Sequence, residues 1–245
     1  RGLGDVYKRQ DILCLQEYQT IESPRYLSQK DVEKALKDYP YHNIQIVGRG
    51  SGKGHTNRIA CYSKFPILSS RTLDYASEYN GSVVYELKMG EDTVMLINNH
   101  LESNKLTKED KVVYESMLKS PETEKVKSGA RLLIRKLAEA SAIRAPQADS
   151  IAQEIAASRY PYIIVCGDFN DTPISYAHRV IEKGLNDAFT KSGRGLGISY
   201  NQNKFYFRID NILASKNLKP YNCTVDRSIK ESDHYPIWCY LKKKD

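Results

Sequence analysis

Glu17 follows the apolar run ILCLQ, His100 follows VMLINN, and Asp168 with Asn170 follows YIIVCG. Each stands just past the C-terminal end of a segment that reads as a β-strand, where a sheet delivers side chains to one rim. Asp210 and the pair Asp233 and His234 instead precede or open apolar runs. Strands running antiparallel to the first set would carry those residues to the same rim. Carboxylates, an amide and two imidazoles gathered there can hold a hard divalent cation through oxygen ligands, activate a water and stabilise an oxyanion. Taken singly, each has a blander reading: Gly-Asp-Phe-Asn is good turn chemistry, an Asp at a strand start is often a local cap, and a lone His is usually structural. The joint order of these segments is the more specific signal.

The elements that must position them show as short β-branched and aromatic runs between turn residues. Strands are predicted over 12–16, 43–47, 59–63, 82–89, 93–98, 162–166, 209–214, 221–225 and 237–241. Gly90-Glu91-Asp92 predicts a hairpin between two of them. Helical period is present over 31–37 and in the stripe Ala148, Ile151, Ala152, Ile155, spaced i, i+3, i+4, i+7. Strands outnumber helices and no linker or repeat divides the chain, so one sheet-based domain with covering helices is expected over 11–245. Residues 104–147 break the rhythm, where a charged stretch punctuated by Ser and Pro leads into the helix-compatible Leu132, Leu133, Ile134 and Leu137. This stretch reads as an insertion between strands, either a solvated helical excursion or a substrate-contacting lid.

Composition narrows the class. The net charge of +7 suggests an anionic partner such as nucleic acid or a lipid headgroup. Residues 105–144 concentrate that surplus, with ten Lys/Arg against six Asp/Glu. Mean hydropathy is −0.57, and no apolar run reaches the roughly 18 residues of a spanning helix. Cys14, Cys61, Cys166, Cys223 and Cys239 form no CxxC pair and are odd in number, which argues against a zinc ribbon or a complete disulfide framework. Reduced, buried thiols are expected, with a Cys223 to Cys239 bridge as the alternative. GRGSGKGHT, from Gly48, lacks P-loop spacing because Lys53 is followed by Gly54. SGRGLG, at Ser192 to Gly197, has no strand before it or helix after it, so both segments read as loops. Arg1 to Gln10, RGLGDVYKRQ, shows no period and abuts the first apolar run; DVYKRQ is also the translation of a sequencing-library transposon end, so these residues read as a non-native leader.

DILCLQEY, IACYSKFPI, INNHLES, VCGDFNDTP, RIDNIL and SDHYPI, in that order, resemble the endonuclease/exonuclease/phosphatase superfamily typified by deoxyribonuclease I. The resemblance runs from Asp11 to the C-terminus except for about 104–147, and its GDFND and SDH segments are the most specific. It implies a four-layer α/β/β/α sandwich of two mixed sheets and Mg²⁺-dependent cleavage of phosphate esters, with Mn²⁺ as a substitute. It also implies roles: Glu17 as metal ligand, Asp168 and Asn170 around nucleophile and phosphate, Asp210 orienting His234, and Asp233 beside the metal. His100 marks the deoxyribonuclease-like and sphingomyelinase-like branches.

These roles suit the groups. A phosphodiester repels hydroxide, so its cleavage needs charge neutralisation and donors aimed at the pentavalent oxygens. His234 can take a proton from water once a carboxylate such as Asp210 fixes its other nitrogen. A protonated His100 could donate to the phosphoryl oxygen or leaving group, as could the Asn170 amide, and Asp168 could orient the attacking water. Family members carry a metal-site Asn on a strand upstream of the glutamate, and only the suspect leader stands there, so an N-terminally clipped domain is expected. The expectation is a monomeric metal-dependent phosphodiesterase, nuclease-like or acting on 5′ adducts. Its alternative is a phosphoesterase of sphingomyelin or phosphoinositide headgroups, cytoplasmic or brought to a membrane by an upstream segment. A catalytically inactive interaction module is the rival of another class, opposed by the intact set of rim residues.

Overall fold

The computed structural model describes residues 10–48, 57–119, 124–202 and 206–244. Apart from Gln10 and Gly48, the expected leader and the glycine-rich segment from Gly48 to Thr56 lie outside them.

The elements run β1 (Ile12–Leu15), α1 (Gln29–Ala35), β2 (Tyr41–Val47), β3 (Asn57–Ser63), β4 (Ile67–Thr72), β5 (Gly81–Met89), β6 (Asp92–His100), α2 (Lys108–Lys119), α3 (Glu124–Ala157), β7 (Tyr162–Asp168), α4 (Tyr176–Glu182), β8 (Leu185–Asp187), α5 (Ala188–Ser192), β9 (Asp210–Ser215), β10 (Leu218–Val225) and β11 (Ile237–Lys243). Strands β4 and β8 were not anticipated; β8 is three residues long and β4 alternates exposed Ser and Arg with few apolar residues. A six-stranded sheet has the order β4-β5-β6-β7-β9-β8. Its β6–β7 pair is parallel and its other pairs antiparallel, so it is mixed. The second sheet layer is antiparallel and divided into β1-β3-β2 and the ribbon β10-β11.

Period-two side-chain alternation builds the layers. On β3, Ile59 and Cys61 join Val83, Tyr85, Leu87 and Leu96 between the sheets, while Ala60 and Tyr62 face outward to Leu36 and Val32 of α1 and its C-terminal end. On β6, Leu96 points to the sheet interface, whereas Met95 and Ile97 pack with Val165 and Leu213 beneath Ala148 and Ile151 of α3 and Ala177 and Ile181 of α4. Each fully buried aliphatic chain contributes about 1.5–3 kcal/mol relative to exposure. The result is α1, three-stranded sheet, six-stranded sheet, then α3 and α4, the expected four layers. The ribbon packs through Cys223, Val225 and Ile237 on Phe189 and Ile212. All five cysteines are free, including Cys223 and Cys239, so that alternative bridge is not formed.

Parallel strands need a crossover, and the charged stretch after β6 supplies it. Helices α2 and α3 form a hairpin in which a Cβ on Gly129 would stand 2.7 Å from Val113 Cγ1, and Lys136 pairs with Asp110 at 2.5 Å. Helix α3 is one 34-residue element that continues through Pro146 to Ala157. The sequence boundary at Gln147 therefore falls inside a helix. An interior proline costs about 3 kcal/mol, which burial of Ala148 and Ile151 immediately beyond it offsets. Among the described residues no helix is long and apolar enough to cross a membrane.

Candidate active site

Three adjacent strands bring the site together. His100 ends β6 and is the register partner of Asp168, which ends β7. Asp168 is in turn the register partner of Asp210, which opens antiparallel β9. His100, Asp168 and Asp210 thus occupy one rung of the six-stranded sheet. Gly167 allows this closeness: its φ is +122°, and a Cβ there would stand 2.1 Å from the Asn99 carbonyl oxygen.

Asn170 lies two residues past the rung in a left-handed conformation, φ +50°. Its amide N–H donates to Asp168 Oδ1 at 2.7 Å, and its Nδ2 donates to the Leu101 carbonyl at 2.9 Å. The Nδ2 bond holds the two strand ends together. Glu17, also left-handed at φ +50°, follows β1 in the other sheet. Gln16 fixes this turn by donating to Asn98 Oδ1 at 2.6 Å. Glu17 is largely exposed, with Oε1 3.7 Å from His100 Nε2.

His234 enters from the loop before β11. Its Nδ1 lies 2.8 Å from Asp210 Oδ2, its Nε2 3.9 Å from Asp168 Oδ2, and the edge of Tyr200 packs on the ring at 5.1 Å between centroids. Ser199 ties these segments together, with Oγ accepting from the Ile209 and Asp210 amides at 3.1 and 3.0 Å and its carbonyl accepting from Tyr235 N at 2.7 Å. Asp233 is exposed and stands outside this cluster, contributing only its charge beside His234.

The electrostatics follow from burial and like charge. Burial, then the neighbouring Asp210 carboxylate, pushes Asp168 up to about 8. Burial opposes charge on His234, but the Asp210 hydrogen bond and the charges of Asp210, Asp168 and Asp233 outweigh it and raise the ring to about 9. Burial, then the positive charge of His234, lowers His100 to about 4. The lowered value favours the neutral ring near pH 7, and a neutral imidazole still keeps one ring N–H with which to donate. Its Nδ1 is buried with no hydrogen-bond partner among the described residues.

Asp168, Asp210 and His234 each offer a ligand atom within 4.8 Å of the others. Two carboxylates on one rung, with Asp168 pushed up first by burial and then by Asp210, form an oxygen-rich site, and this fits a hard divalent cation. Glu17 adds an exposed carboxylate at the same rim. What sequence reasoning missed is the support: Ser199, Tyr200 and the buried Arg144, none of which carries a local motif.

The family model described as the Endonuclease/Exonuclease/phosphatase family matches residues 1–234. Among solved structures, humanized D. rerio TDP2 is 15% identical over 97% of this chain and 87% of its own, with a TM-score of 0.64. D. rerio TDP2 complexed with a single-strand DNA product is 18% identical over 97% of this chain and 88% of its own, TM-score 0.62. Beta toxin from Staphylococcus aureus is 17% identical over 98% of this chain and 90% of its own, TM-score 0.62. No curated protein sequence matches. The structural likenesses agree with the four-layer fold, and the family match extends across nearly the whole chain, so the chain belongs to the Endonuclease/Exonuclease/phosphatase family and is a metal-dependent phosphoesterase.

Proposed function

We propose that the protein is a phosphodiesterase acting on nucleic acid, nuclease-like or removing 5′ adducts, with Mg²⁺ as its ion and Mn²⁺ as a substitute. The carrying observation is the 2.8 Å contact between Asp210 and His234 on the same rung as Asp168. Raised to about 9 by the facing carboxylates, the ring would lose that support once an ion neutralised them; the neutral ring, donating its Nδ1 proton to Asp210, then has Nε2 free to accept a proton from water on the Asp168 side. Asp210 also stabilises the imidazolium that results. Asp168 orients the attacking water, while Asn170 and neutral His100 donate to phosphoryl oxygens as negative charge grows. Asp168, Asp210 and Glu17 would hold the ion, with Asp233 adding negative charge at its margin; such an ion would supply charge neutralisation for the phosphate and the leaving oxygen.

Two features support a nucleic-acid substrate. The net charge is +7, which favours a polyanion. A groove of about 500 Å³ also opens beside the site, lined by Thr172, Phe189, Leu196, Tyr206, Phe207 and Arg208. Thr172 is two residues from Asn170 and Arg208 two from Asp210, so the groove adjoins the segments that carry the site. The resemblance to a TDP2 complexed with single-strand DNA product is in keeping with this reading.

The test compares Mg²⁺-dependent hydrolysis of bis(p-nitrophenyl) phosphate, p-nitrophenyl phosphate, a single-stranded oligonucleotide and vesicles of a phosphodiester lipid. The reading expects the diester and oligonucleotide to be cleaved and the rate to vanish in chelator. Faster cleavage of the monoester, or of lipid over oligonucleotide, would overturn it.

A further inference from the structure

Arg144 is the largest fully buried side chain of the described residues, at 2% exposure, yet it lies on α3 outside the site. A buried guanidinium is tolerated only when its donors are matched, and Arg144 makes four hydrogen bonds and one further close ion-pair contact. Nε donates to Asp171 Oδ2 at 3.1 Å, and Nη2 lies 3.0 Å from the same oxygen and donates to Ser141 Oγ at 3.1 Å. Nη1 donates to the Glu102 carbonyl at 2.8 Å and to Asn104 Oδ1 at 2.9 Å.

Apart from Ser141, on the same helix, these partners belong to two segments. Glu102 and Asn104 follow His100 beyond β6, and Asp171 follows Asn170 beyond β7. Asn104 completes the chain, for its Nδ2 donates to the Asn170 carbonyl at 3.0 Å. A second residue of the same helix, Gln147, accepts from Glu102 N at 2.9 Å. Helix α3 therefore grips both strand ends at the point where Asn170 turns left-handed, a conformation asparagine adopts more readily than most non-glycine residues. A guanidinium fork can join both ends at once where an ammonium cannot.

We infer that Arg144 is a positioning residue that sets the geometry of the Asp168–Asn170 turn and the His100 rim, acting through Asp171 and Asn104 without touching substrate. The inference rests on the proposed roles of Asp168 and Asn170. Residues of this outer kind typically change metal affinity or activity by about 10–100-fold.

The experiment uses the whole chain and the variants Arg144→Lys, Asn104→Ala and their combination. Three readouts are taken: kcat and KM for bis(p-nitrophenyl) phosphate with Mg²⁺, Mn²⁺ affinity by EPR titration, and Tm. Arg144→Lys keeps charge and most of the volume. It is expected to lower kcat by about 10–100-fold with KM within about twofold, to weaken Mn²⁺ by about tenfold, and to leave the protein folded at the assay temperature. The double variant should lose no more than Arg144→Lys alone, since both residues act on one chain of contacts. Wild-type kcat and Mn²⁺ affinity in Arg144→Lys would overturn the inference, as would losses that track only the unfolded fraction. An inactive wild type refutes the proposed function instead, and the Mn²⁺ titration then decides the positioning role by itself.

Discussion

Asp168 closes β7 and Asp210 opens β9 as directly paired residues of antiparallel strands, so two carboxylates far apart in sequence share one rung of the sheet. Their closeness and burial push Asp168 up to about 8, and His234 sits against both. A site built this way has charge to be neutralised and a ring already oriented, the two requirements for attack on a phosphodiester.

The first expected outcome concerns that rung. His234→Ala and Asp168→Ala should each lower Mg²⁺-dependent diester hydrolysis by about 10²–10⁴-fold, with circular dichroism unchanged. An active His234→Ala enzyme would remove the general base from the mechanism.

A second concerns acid stability. Asp187 is buried and receives both Arg208 Nη1 at 2.9 Å and Nη2 at 2.6 Å. Burial opposes its charge, but the neighbouring His178, whose Nε2 stands 3.6 Å from Oδ2, and the hydrogen bonds and charge of Arg208 outweigh it and hold the carboxyl far below the usual carboxylate range. The folded value lies below the unfolded value of about 3.9, so this stabilisation is complete above about pH 4 and is lost as pH falls toward the folded value. Asp187→Asn should flatten the acid limb of the stability curve, and Asp187→Ala should cost about 3–5 kcal/mol at pH 7 by stranding Arg208. Urea melts from pH 2 to 7 check both; an unchanged acid limb in Asp187→Asn would assign acid unfolding to other groups.

Gly167→Ala supplies a third. Its Cβ would stand 2.1 Å from the Asn99 carbonyl oxygen at a φ of +122°. Strain and overlap together should cost at least about 2 kcal/mol and open the β6–β7 pair beneath His100 and Asp168. A variant with wild-type Tm and activity would show that the strand ends tolerate separation.

The cysteines give a fourth. All five are free, so denaturation without reductant followed by alkylation should label every thiol. Two unlabelled cysteines that become reactive after reduction would instead identify a bridge.

Strand identity was legible because β-branched and aromatic runs bounded by turn residues are a local signal. The four layers were implied only by the family resemblance; the structure shows their basis in β3 and β6, whose apolar residues on both faces are covered on both. Strands β4 and β8 were not legible: one is a polar edge and the other three residues long, and each is held by its neighbour in the sheet. Helix α3 misled for a related reason. Charged residues and Pro146 argue locally against one long helix, yet burial of Ala148 and Ile151 and the crossover between parallel strands carry it through.

The site divides in the same way. Residue type and order determined by themselves that Glu17, His100, Asp168, Asn170, Asp210 and His234 stand at strand termini, because the strands ending or starting at them are local features. Tertiary structure alone decided that His100, Asp168 and Asp210 share a rung, that Asp233 stays outside the cluster, and that burial leaves His100 neutral. It also decided that a buried arginine on a distant helix grips two strand ends. Register, burial and the hydrogen bonding of a buried guanidinium are relations between segments up to about a hundred residues apart, and no window of sequence contains them.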